Sequence, residues 1–278
     1  MPELPEVETV RKIIEPQICG QRIISVLAVN PQIIAYPDTE RFTVLIQGKT
    51  VIKMSLRGKF LTIHFNNGDR LCLHLRMTGQ LLVLRADEPV EKHTHLNISL
   101  SSGNQLRYID VRRFGRFWYF QNGEADVISG QSLLGPEPAD PVLTSVYLKE
   151  KLGRSNRPIK GALLDQTVIA GIGNIYSDEI LFAAGIYPGT KCSALADSDW
   201  EHLAKKIPEI ILWGIEANEM TPDEYLAGKG RDYREMSGLR AYGRTGQPCA
   251  VCGGTMEKTT VCGRTSCFCP NCQKKPPC

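Results

Sequence analysis

Residues 249–272 read CAVCGGTMEKTTVCGRTSCFCPNC, and this stretch decides the fold of the C-terminal part of the chain. Cys249 and Cys252 form one C-x2-C pair, and Cys269 and Cys272 form a second one. Each pair fits a tight backbone knuckle that presents two thiolates to one ion, so two knuckles complete a tetrahedral site with no open position. The spacing therefore predicts one structural zinc ion, with the intervening residues forming a β-hairpin.

The cellular compartment decides how the cysteines are interpreted. Most of the ten cysteines lie after residue 248, and the N-terminal sequence MPELPEVETV lacks the basic and apolar segments of an export signal. We therefore expect a cytoplasmic protein, where a cysteine cluster is more often a metal site than a set of disulfides. Disulfides remain the alternative. Cys262 and Cys267 do not make a further C-x2-C pair and are interpreted as hairpin residues.

Positive charge is concentrated near the C-terminus. The chain carries a net charge of +3; residues 229–278 contain nine Lys/Arg and three Asp/Glu, or +6, which leaves −3 for the remainder. A basic tail on a nearly neutral body suits a polyanionic partner, although a solvated basic surface has the same composition. Arg264 lies near the predicted hairpin tip, and an arginine on a metal-fixed turn is well placed to meet phosphate.

Toward the N-terminus, short apolar runs alternate with turn sequences. Runs such as KFLTIHF and RFWYF recur between Arg22 and Phe120 and are rich in Val, Ile, Leu, Phe and Thr. This pattern predicts a many-stranded antiparallel sandwich or barrel. A short helix, Leu4–Ile14, is predicted before it, because Pro5 suits a first helical turn and the following apolar residues share one face.

After the proline-rich sequence GPEPADP the apolar period becomes helical. Residues 219–238 carry many charges with weak periodicity and are predicted to form a mobile loop. Pro208 is expected to kink the last of the predicted helices. These helices span residues 144–152, 159–166, 174–184 and 200–218.

Pro2 offers a nucleophile once Met1 is removed, as is typical before a small residue. An α-amino group titrates near ~7.7–8.0, so roughly a tenth is unprotonated at neutral pH and able to attack a sugar carbon, giving a cationic imine. Glu3 and Glu6 are local proton donors for such a step. On these residues alone, a Pro-Glu start that only begins a helix is the commoner case.

Several motifs read together carry a family resemblance. PELPEVETV, RGKFL, HLRMTG, DVRRFG, LGPEP, IKGALLDQ, IAGIGNIYSDEILFAAGI and YGRTGQPC occur in this order before the cysteine ribbon. The chain closely resembles the formamidopyrimidine-DNA glycosylase branch of a family that also contains endonuclease VIII. The resemblance implies a multidomain α+β fold: an N-terminal antiparallel β-sandwich with a flanking helix (1–134), a linker (135–145), a helix–two-turn–helix domain (146–238) and a zinc-ribbon hairpin (239–278).

The resemblance also implies catalytic roles. Pro2 would attack C1′ of the damaged nucleotide, Glu3 would act as an acid at the deoxyribose ring, and Glu6 would support Glu3 or orient water. Lys59 in RGKFL would contact the phosphate of the lesion and assist β-elimination. Arg264 would bind phosphate beside the lesion and take part in the second, δ, elimination.

Other matching residues would handle DNA. An enzyme that acts on a base must take it out of the stack, and Met77, Arg112 and Phe114 match the family's inserting triplet. From the residues alone, core packing is the alternative for Met77 and Phe114. His93 aligns with a DNA-contacting histidine, with a strand histidine as the alternative. In the helix–two-turn–helix element Asn174 would hold a phosphate near the lesion, with Lys160 and Tyr176 nearby, because it would begin a helix whose N-terminus attracts phosphate. Asn156 is also expected to contact DNA, although it stands where the family often has a basic phosphate contact.

Together these features predict a bacterial base-excision repair enzyme, both N-glycosylase and β,δ-lyase, that acts as a monomer on oxidised or ring-opened purines in duplex DNA of the nucleoid. Residues 218–238 lack the hydroxyl-rich run that this branch usually has in its lesion-covering loop. An endonuclease VIII-like preference for oxidised pyrimidines is therefore the alternative substrate class. A non-catalytic nucleic-acid-binding protein is the alternative function, although such a protein needs neither Pro2, Glu3 nor Lys59.

Overall fold

The structure is a computed structural model that describes residues 1–228 and 238–275. The chain forms two compact units, residues 1–132 with 218–235 and residues 133–217 with 236–278. The domain boundaries expected at residues 134, 145 and 238 stay predictions. Within the two described ranges, no helix has the length and apolar composition that a membrane span requires.

The helices and strands follow the predicted division into a β-rich and a helical part. The helices are α1 (Leu4–Ile18), α2 (Thr39–Ile46), α3 (Ser145–Leu152), α4 (Ile159–Leu163), α5 (Asn174–Ala184), α6 (Asp197–Ala217) and α7 (Pro222–Ala227). The strands are β1 (Ile23–Ala28), β2 (Ile34–Tyr36), β3 (Val51–Arg57), β4 (Phe60–Phe65), β5 (Arg70–His74), β6 (Gly79–Arg85), β7 (Thr94–Leu100), β8 (Asn104–Asp110), β9 (Arg116–Phe120), β10 (Glu257–Val261) and β11 (Arg264–Phe268).

Two sheets form the core of the first unit, which confirms the predicted sandwich. One sheet has the order β1-β7-β8-β6 and the other the order β2-β9-β5-β4-β3. Their apolar faces share one core, in which Tyr108 of β8 meets Phe117 of β9 edge to face at 4.9 Å between ring centroids. The pairing departs from a purely antiparallel sandwich at one place, because the short strand β2 runs parallel to β9.

Helix α1 begins as predicted but continues four residues beyond Ile14. Ile18 lies one helical turn after Ile14, and both are fully buried, so continued burial of this face extends the helix. Pro16 falls in the last turn, where it interrupts only one backbone hydrogen bond of the helix. The helix packs against β3 and β6, which fixes its N-terminus on the sandwich.

The second unit contains the predicted helices with small changes at their ends. Helix α5 has the predicted bounds, α3 begins one residue later, and α4 ends at Leu163 instead of Gln166. Helix α6 starts three residues early, where the carboxylate of Asp199 accepts a hydrogen bond from the backbone of Ala196 at 2.8 Å. Pro208 lies inside α6, and the helix continues on both sides of this residue.

The predicted mobile loop at residues 219–238 is wrong in its first part, because residues 222–227 form α7. Thr221 and Glu224 make a reciprocal capping box at its start. Tyr225 is 3% exposed and donates a hydrogen bond to the carbonyl of Leu81 at 3.1 Å, which ties α7 to the sandwich. Sequence periodicity missed this helix because six residues with one buried side chain give too weak a pattern. Residues 229–237 of the predicted loop lie outside the described residues.

Candidate active site and nucleic-acid interface

The N-terminal Pro-Glu segment is fixed by a reciprocal hydrogen-bonded cap. The Glu6 carboxylate accepts a hydrogen bond from the backbone N–H of Glu3 at 2.6 Å, and the Glu3 side chain accepts one from the backbone of Glu6. Both carboxylates are 2% exposed, and Pro2 is buried beside them. In the intact chain Met1 acylates the Pro2 nitrogen, so the amine exists only after Met1 is cleaved. Glu6 therefore has a positioning role, because its carboxylate holds the N–H of the peptide bond that joins Pro2 to Glu3.

Lys59 lies in a tight turn of the same unit. Arg57 pairs with Phe60 across β3 and β4, so Gly58 and Lys59 form a two-residue hairpin turn. Gly58 has φ +58°, which a residue with a side chain rarely adopts, and this explains the glycine in RGKFL. Lys59 is only 5% exposed, so the turn fixes its side chain on the body of the sandwich.

His74 is a neighbour of Lys59 that sequence reasoning missed. It pairs with Phe60 in the sheet, and its ring meets the Phe60 ring edge to face at 4.7 Å. Burial, together with the positive charges of Arg76 and Lys59, lowers the pKa of His74 to about 3. The ring is therefore neutral at physiological pH, and its Nδ1 accepts a hydrogen bond from the backbone of Arg76 at 2.9 Å. Only pairing across β4 and β5 brings it to this place.

The predicted inserting residues lie on two turns at one end of the sandwich. Met77 lies between β5 and β6, and Arg112 and Phe114 lie between β8 and β9. The guanidinium of Arg112 lies 4.6 Å from the centroid of the Phe114 ring, a cation–π distance. Phe114 is 47% exposed, which does not fit core packing, and Met77 is half-buried. His93 is also half-buried, and its carbonyl accepts a hydrogen bond from the backbone of Asp110 at 3.0 Å.

In the second unit, Asn174 is the first residue of α5, after Gly173 as helix cap. Its side-chain amide donates a weak hydrogen bond of 3.4 Å to the carbonyl of Thr265 on β11.

Tyr176 is fully buried, and a Cβ at Gly214 of α6 would lie 2.3 Å from its ring. This close packing favours a core role for the Tyr176 ring; its DNA contact stays a prediction. Asn156 is exposed and accepts a hydrogen bond from the Ser193 hydroxyl at 2.9 Å.

Lys160 is fully buried and joins three elements. Its ammonium group lies 2.7 Å from the Asp178 carboxylate and donates to the Thr265 carbonyl at 3.1 Å. The other Asp178 oxygen accepts a hydrogen bond from the backbone of Cys267 at 3.1 Å. This arrangement favours a role for Lys160 in holding the hairpin strand next to Arg264 over direct contact with phosphate. Sequence reasoning missed Asp178, because nothing local marks it as the partner of a lysine eighteen positions earlier.

Replacing Lys160 by methionine should destabilise the protein strongly. Asp178 would then be a buried charge without its cation, which costs about 3–5 kcal/mol of unfolding free energy. Burial already raises the pKa of Asp178 to about 6, and loss of Lys160 removes the largest effect that opposes this rise. Loss of Lys160 raises the pKa of Asp178 in the folded variant further, so the deficit should be largest at high pH, where Asp178 is ionised in both proteins, and should shrink as pH falls toward about 6. Urea unfolding at several pH values measures this.

Lys149→Met is the matched control for that measurement. Its partner Asp197 and Lys149 itself are both more than half exposed, so the pair should contribute only about 0–1 kcal/mol. Equal losses in the two variants, or a deficit that grows as pH falls, would contradict a buried ion pair at Lys160.

The four predicted metal ligands are brought together. The sulfur atoms of Cys249, Cys252, Cys269 and Cys272 lie within 4.8 Å of one another, with separations of 3.9 Å for Cys249–Cys272 and 3.5 Å for Cys252–Cys269. Four ligands about 2.3 Å from a tetrahedral ion stand about 3.8 Å apart, so the spacing fits a four-thiolate centre. A backbone hydrogen bond at Gly254, helped by Cys269, lowers the pKa of Cys252, whereas burial raises the pKa of Cys269 and of Cys272, so the sulfur spacing is the observation that supports the metal site.

The hairpin between the knuckles presents Arg264. Val261 pairs with Arg264, so Cys262 and Gly263 form the turn, with φ of +50° and +70°. A two-residue turn with both φ values positive matches the right-handed twist of the strands, and glycine adopts such values readily. Arg264 is exposed directly after this turn, as predicted.

Comparison with known proteins defines the class of this architecture. Residues 1–117 match the family model for the formamidopyrimidine-DNA glycosylase N-terminal domain, and residues 134–224 match the H2TH domain of the same glycosylase. A β-sandwich with an N-terminal Pro-Glu cap, an H2TH element and a four-cysteine hairpin is thus a DNA glycosylase architecture.

Full-length relatives narrow this class to one family. The formamidopyrimidine-DNA glycosylases of Desulforamulus reducens and Geobacillus kaustophilus are each 42% identical to this chain over 275 residues, which cover at least 99% of each chain. A Lactococcus lactis Fpg structure with Fapy-dG-containing DNA is 38% identical, with a TM-score of 0.88 over 98% of this chain and 100% of its own. The chain belongs to the formamidopyrimidine-DNA glycosylase family.

Proposed function

We propose that this protein removes oxidised or ring-opened purines from duplex DNA and then cleaves the strand, as a bifunctional DNA glycosylase and abasic-site lyase. The observation that carries the proposal is the capped Pro2–Glu3 segment, in which two buried carboxylates adjoin the future N-terminal amine. The relatives bearing the glycosylase name match over the full length of the chain. A Lactococcus lactis Fpg has been seen with Fapy-dG-containing DNA.

In the proposed reaction the Pro2 nitrogen donates its electron pair to C1′ of the lesion, the base leaves with the electrons of the glycosidic bond, and the proton that the nitrogen loses goes to the departing base. Glu3 supplies a proton to the deoxyribose ring oxygen as the ring opens to the imine. Glu6 keeps Glu3 in place through its backbone hydrogen bond. Lys59 holds the lesion's phosphate and assists β-elimination, and Arg264 assists δ-elimination.

The four cysteine thiolates would hold one zinc ion. With four protein ligands such an ion has no open position and takes no part in the reaction, so its contribution is to fix the hairpin that carries Arg264.

The space left by the extruded nucleotide would be filled by Met77, Arg112 and Phe114. Further DNA contacts would come from Asn174, Asn156 and His93. We infer a monomer that works in the bacterial cytoplasm on nucleoid DNA.

Oxidised pyrimidines are the second candidate substrate class. A Lactococcus lactis Fpg structure with oxidised-pyrimidine-containing DNA is 38% identical to this chain, with a TM-score of 0.89 over 99% of this chain and 100% of its own. The altered sequence of residues 218–238 is the feature of this chain that bears on the choice.

Borohydride trapping tests the proposal. The full-length protein is incubated with a duplex carrying 8-oxoguanine opposite cytosine, with a duplex carrying an oxidised pyrimidine, and with a preformed abasic site. A trapped adduct on the first duplex supports the purine activity. An adduct only on the second transfers the protein to the pyrimidine substrates. No adduct on any of the three, with Met1 shown to be absent, favours a non-catalytic DNA-binding protein.

A further inference from the structure

Asp110 is a buried carboxylate that the proposed reaction does not use. It ends β8, has no exposed surface, and accepts four hydrogen bonds. The donors are the Thr78 hydroxyl, the Tyr108 hydroxyl at 2.9 Å, the Arg112 backbone at 3.1 Å and the Gly115 backbone at 3.0 Å. Burial disfavours the charged carboxylate, but the hydrogen bonds outweigh this and hold the pKa of Asp110 below its usual value.

The donors lie beside the three inserting residues. Thr78 directly follows Met77, Arg112 bonds through its own backbone, and Gly115 directly follows Phe114. These donors come from two turns that are far apart in the chain, and one carboxylate joins them. The Arg112 backbone also donates to the Thr78 hydroxyl at 3.2 Å, which closes the link between the turns.

Tyr108 packs tightly into the same junction. A Cβ at Gly79 would lie 2.5 Å from the Tyr108 hydroxyl oxygen, and a Cβ at Gly115 would lie 1.6 Å from it. Both glycines therefore allow the turns to close on a fully buried tyrosine. The Asp110 backbone is fixed as well, because its carbonyl lies 2.8 Å from the ring nitrogen of buried His95.

We propose that Asp110 is the positioning residue for DNA insertion: its carboxylate sets the relative places of the Met77 turn and the Arg112–Phe114 turn, so that the three side chains enter the duplex together. The inference rests on the proposed function, since the inserting role of the triplet belongs to it. The Phe114 ring is exposed and meets the Arg112 guanidinium of its own turn, so the backbone of this turn sets where both side chains lie. Preorganised groups bind with a smaller entropic loss than mobile ones.

The test uses Asp110→Asn and a readout that requires insertion but no chemistry. A duplex carries a tetrahydrofuran abasic analogue with 2-aminopurine next to it, and its fluorescence is measured at saturating protein. Insertion changes the stacking of 2-aminopurine, so wild-type protein should change its fluorescence. Asparagine keeps the shape of Asp110 but puts an N–H₂ group against the N–H and O–H donors. We expect the fluorescence change to fall severalfold in the variant, because turns that are no longer preorganised insert at a larger entropic cost.

Asp69→Asn is the matched control. Asp69 is also a buried carboxylate of the sandwich. It accepts hydrogen bonds from the Tyr119 hydroxyl, from Asn67 at 2.7 Å and from the Asn122 backbone at 2.8 Å. None of these donors lies on a turn that holds an inserting residue. This variant should lose comparable stability and keep the fluorescence change. An equal loss in both variants would make Asp110 merely structural and overturn the proposal, as would a full change in Asp110→Asn.

Two further variants keep the proposal testable if Asp110→Asn folds poorly. Tyr108→Phe removes one donor and keeps the buried ring, so it should reduce the fluorescence change in the same direction by a smaller factor. Phe114→Ala removes the inserted ring, and Tyr108→Phe should then add little to its effect, because the two act through one event. Additive losses would overturn the proposal. This readout does not require base excision. Failure of the insertion proposal can therefore be told apart from failure of the proposed function.

Discussion

Pro2→Gly should remove nearly all of the borohydride-trapped adduct. Glycine is small enough that Met1 is still cleaved, so the variant keeps an N-terminal amine. It loses the ring that fixes the backbone and the secondary amine that forms a permanently cationic imine. Misplacing a nucleophile by about 1 Å costs about 10²-fold in rate, so we expect at least this loss in trapping. Gel quantification of the adduct on 8-oxoguanine duplex and on abasic DNA measures it.

Pro5→Ala is the control for this variant. Pro5 is a second buried proline in the first turn of α1, and it bears no free amine in the mature chain. It should trap at nearly the wild-type level. Intact-mass spectrometry of each protein must show that Met1 is absent, since a retained methionine blocks the amine. A Pro2→Gly protein without Met1 that traps as well as wild type would show that the ring and secondary amine of Pro2 are not required, which contradicts the expected loss.

Cys269→Ser should unfold the C-terminal hairpin and remove the metal. Cys269 is fully buried, and its sulfur lies 3.5 Å from that of Cys252. Structural zinc contributes about 10–16 kcal/mol to small zinc-binding peptides, and four ligands are needed to close the site. We expect the metal content to fall from about one zinc per chain toward none and duplex binding to be lost with it. Elemental analysis and fluorescence anisotropy measure the two effects.

Cys262→Ser is the matched control on the same hairpin. Cys262 is an exposed thiol at the turn and lies outside the four-sulfur cluster. This variant should keep its zinc and its DNA affinity. If removing Cys262 were as harmful as removing Cys269, or if the purified protein held no metal and its cysteines were oxidised in pairs, the disulfide interpretation would replace the zinc site.

The sequence by itself determined the four-cysteine cluster, the sandwich and the main helices. Two C-x2-C pairs are local features, and the cluster forms because each pair needs only one backbone knuckle. Strand and helix periods are also local, which is why α5 was predicted with its observed bounds. Helix α7 was missed because its single buried anchor, Tyr225, is recognisable only against Leu81 in the folded sandwich.

Only the tertiary structure decided what the side chains around these motifs do. Lys160 and Tyr176 were expected near the phosphate contact of Asn174, yet both side chains are buried, because helix packing and a buried carboxylate surround them. Asp110 joins two turns that the sequence separates, through donors on different strand ends. Burial and hydrogen bonding depend on which distant segments meet, and one sequence records no distances between segments. The sequence therefore fixes which groups are present, and the fold decides which of them reach DNA and which support those that do.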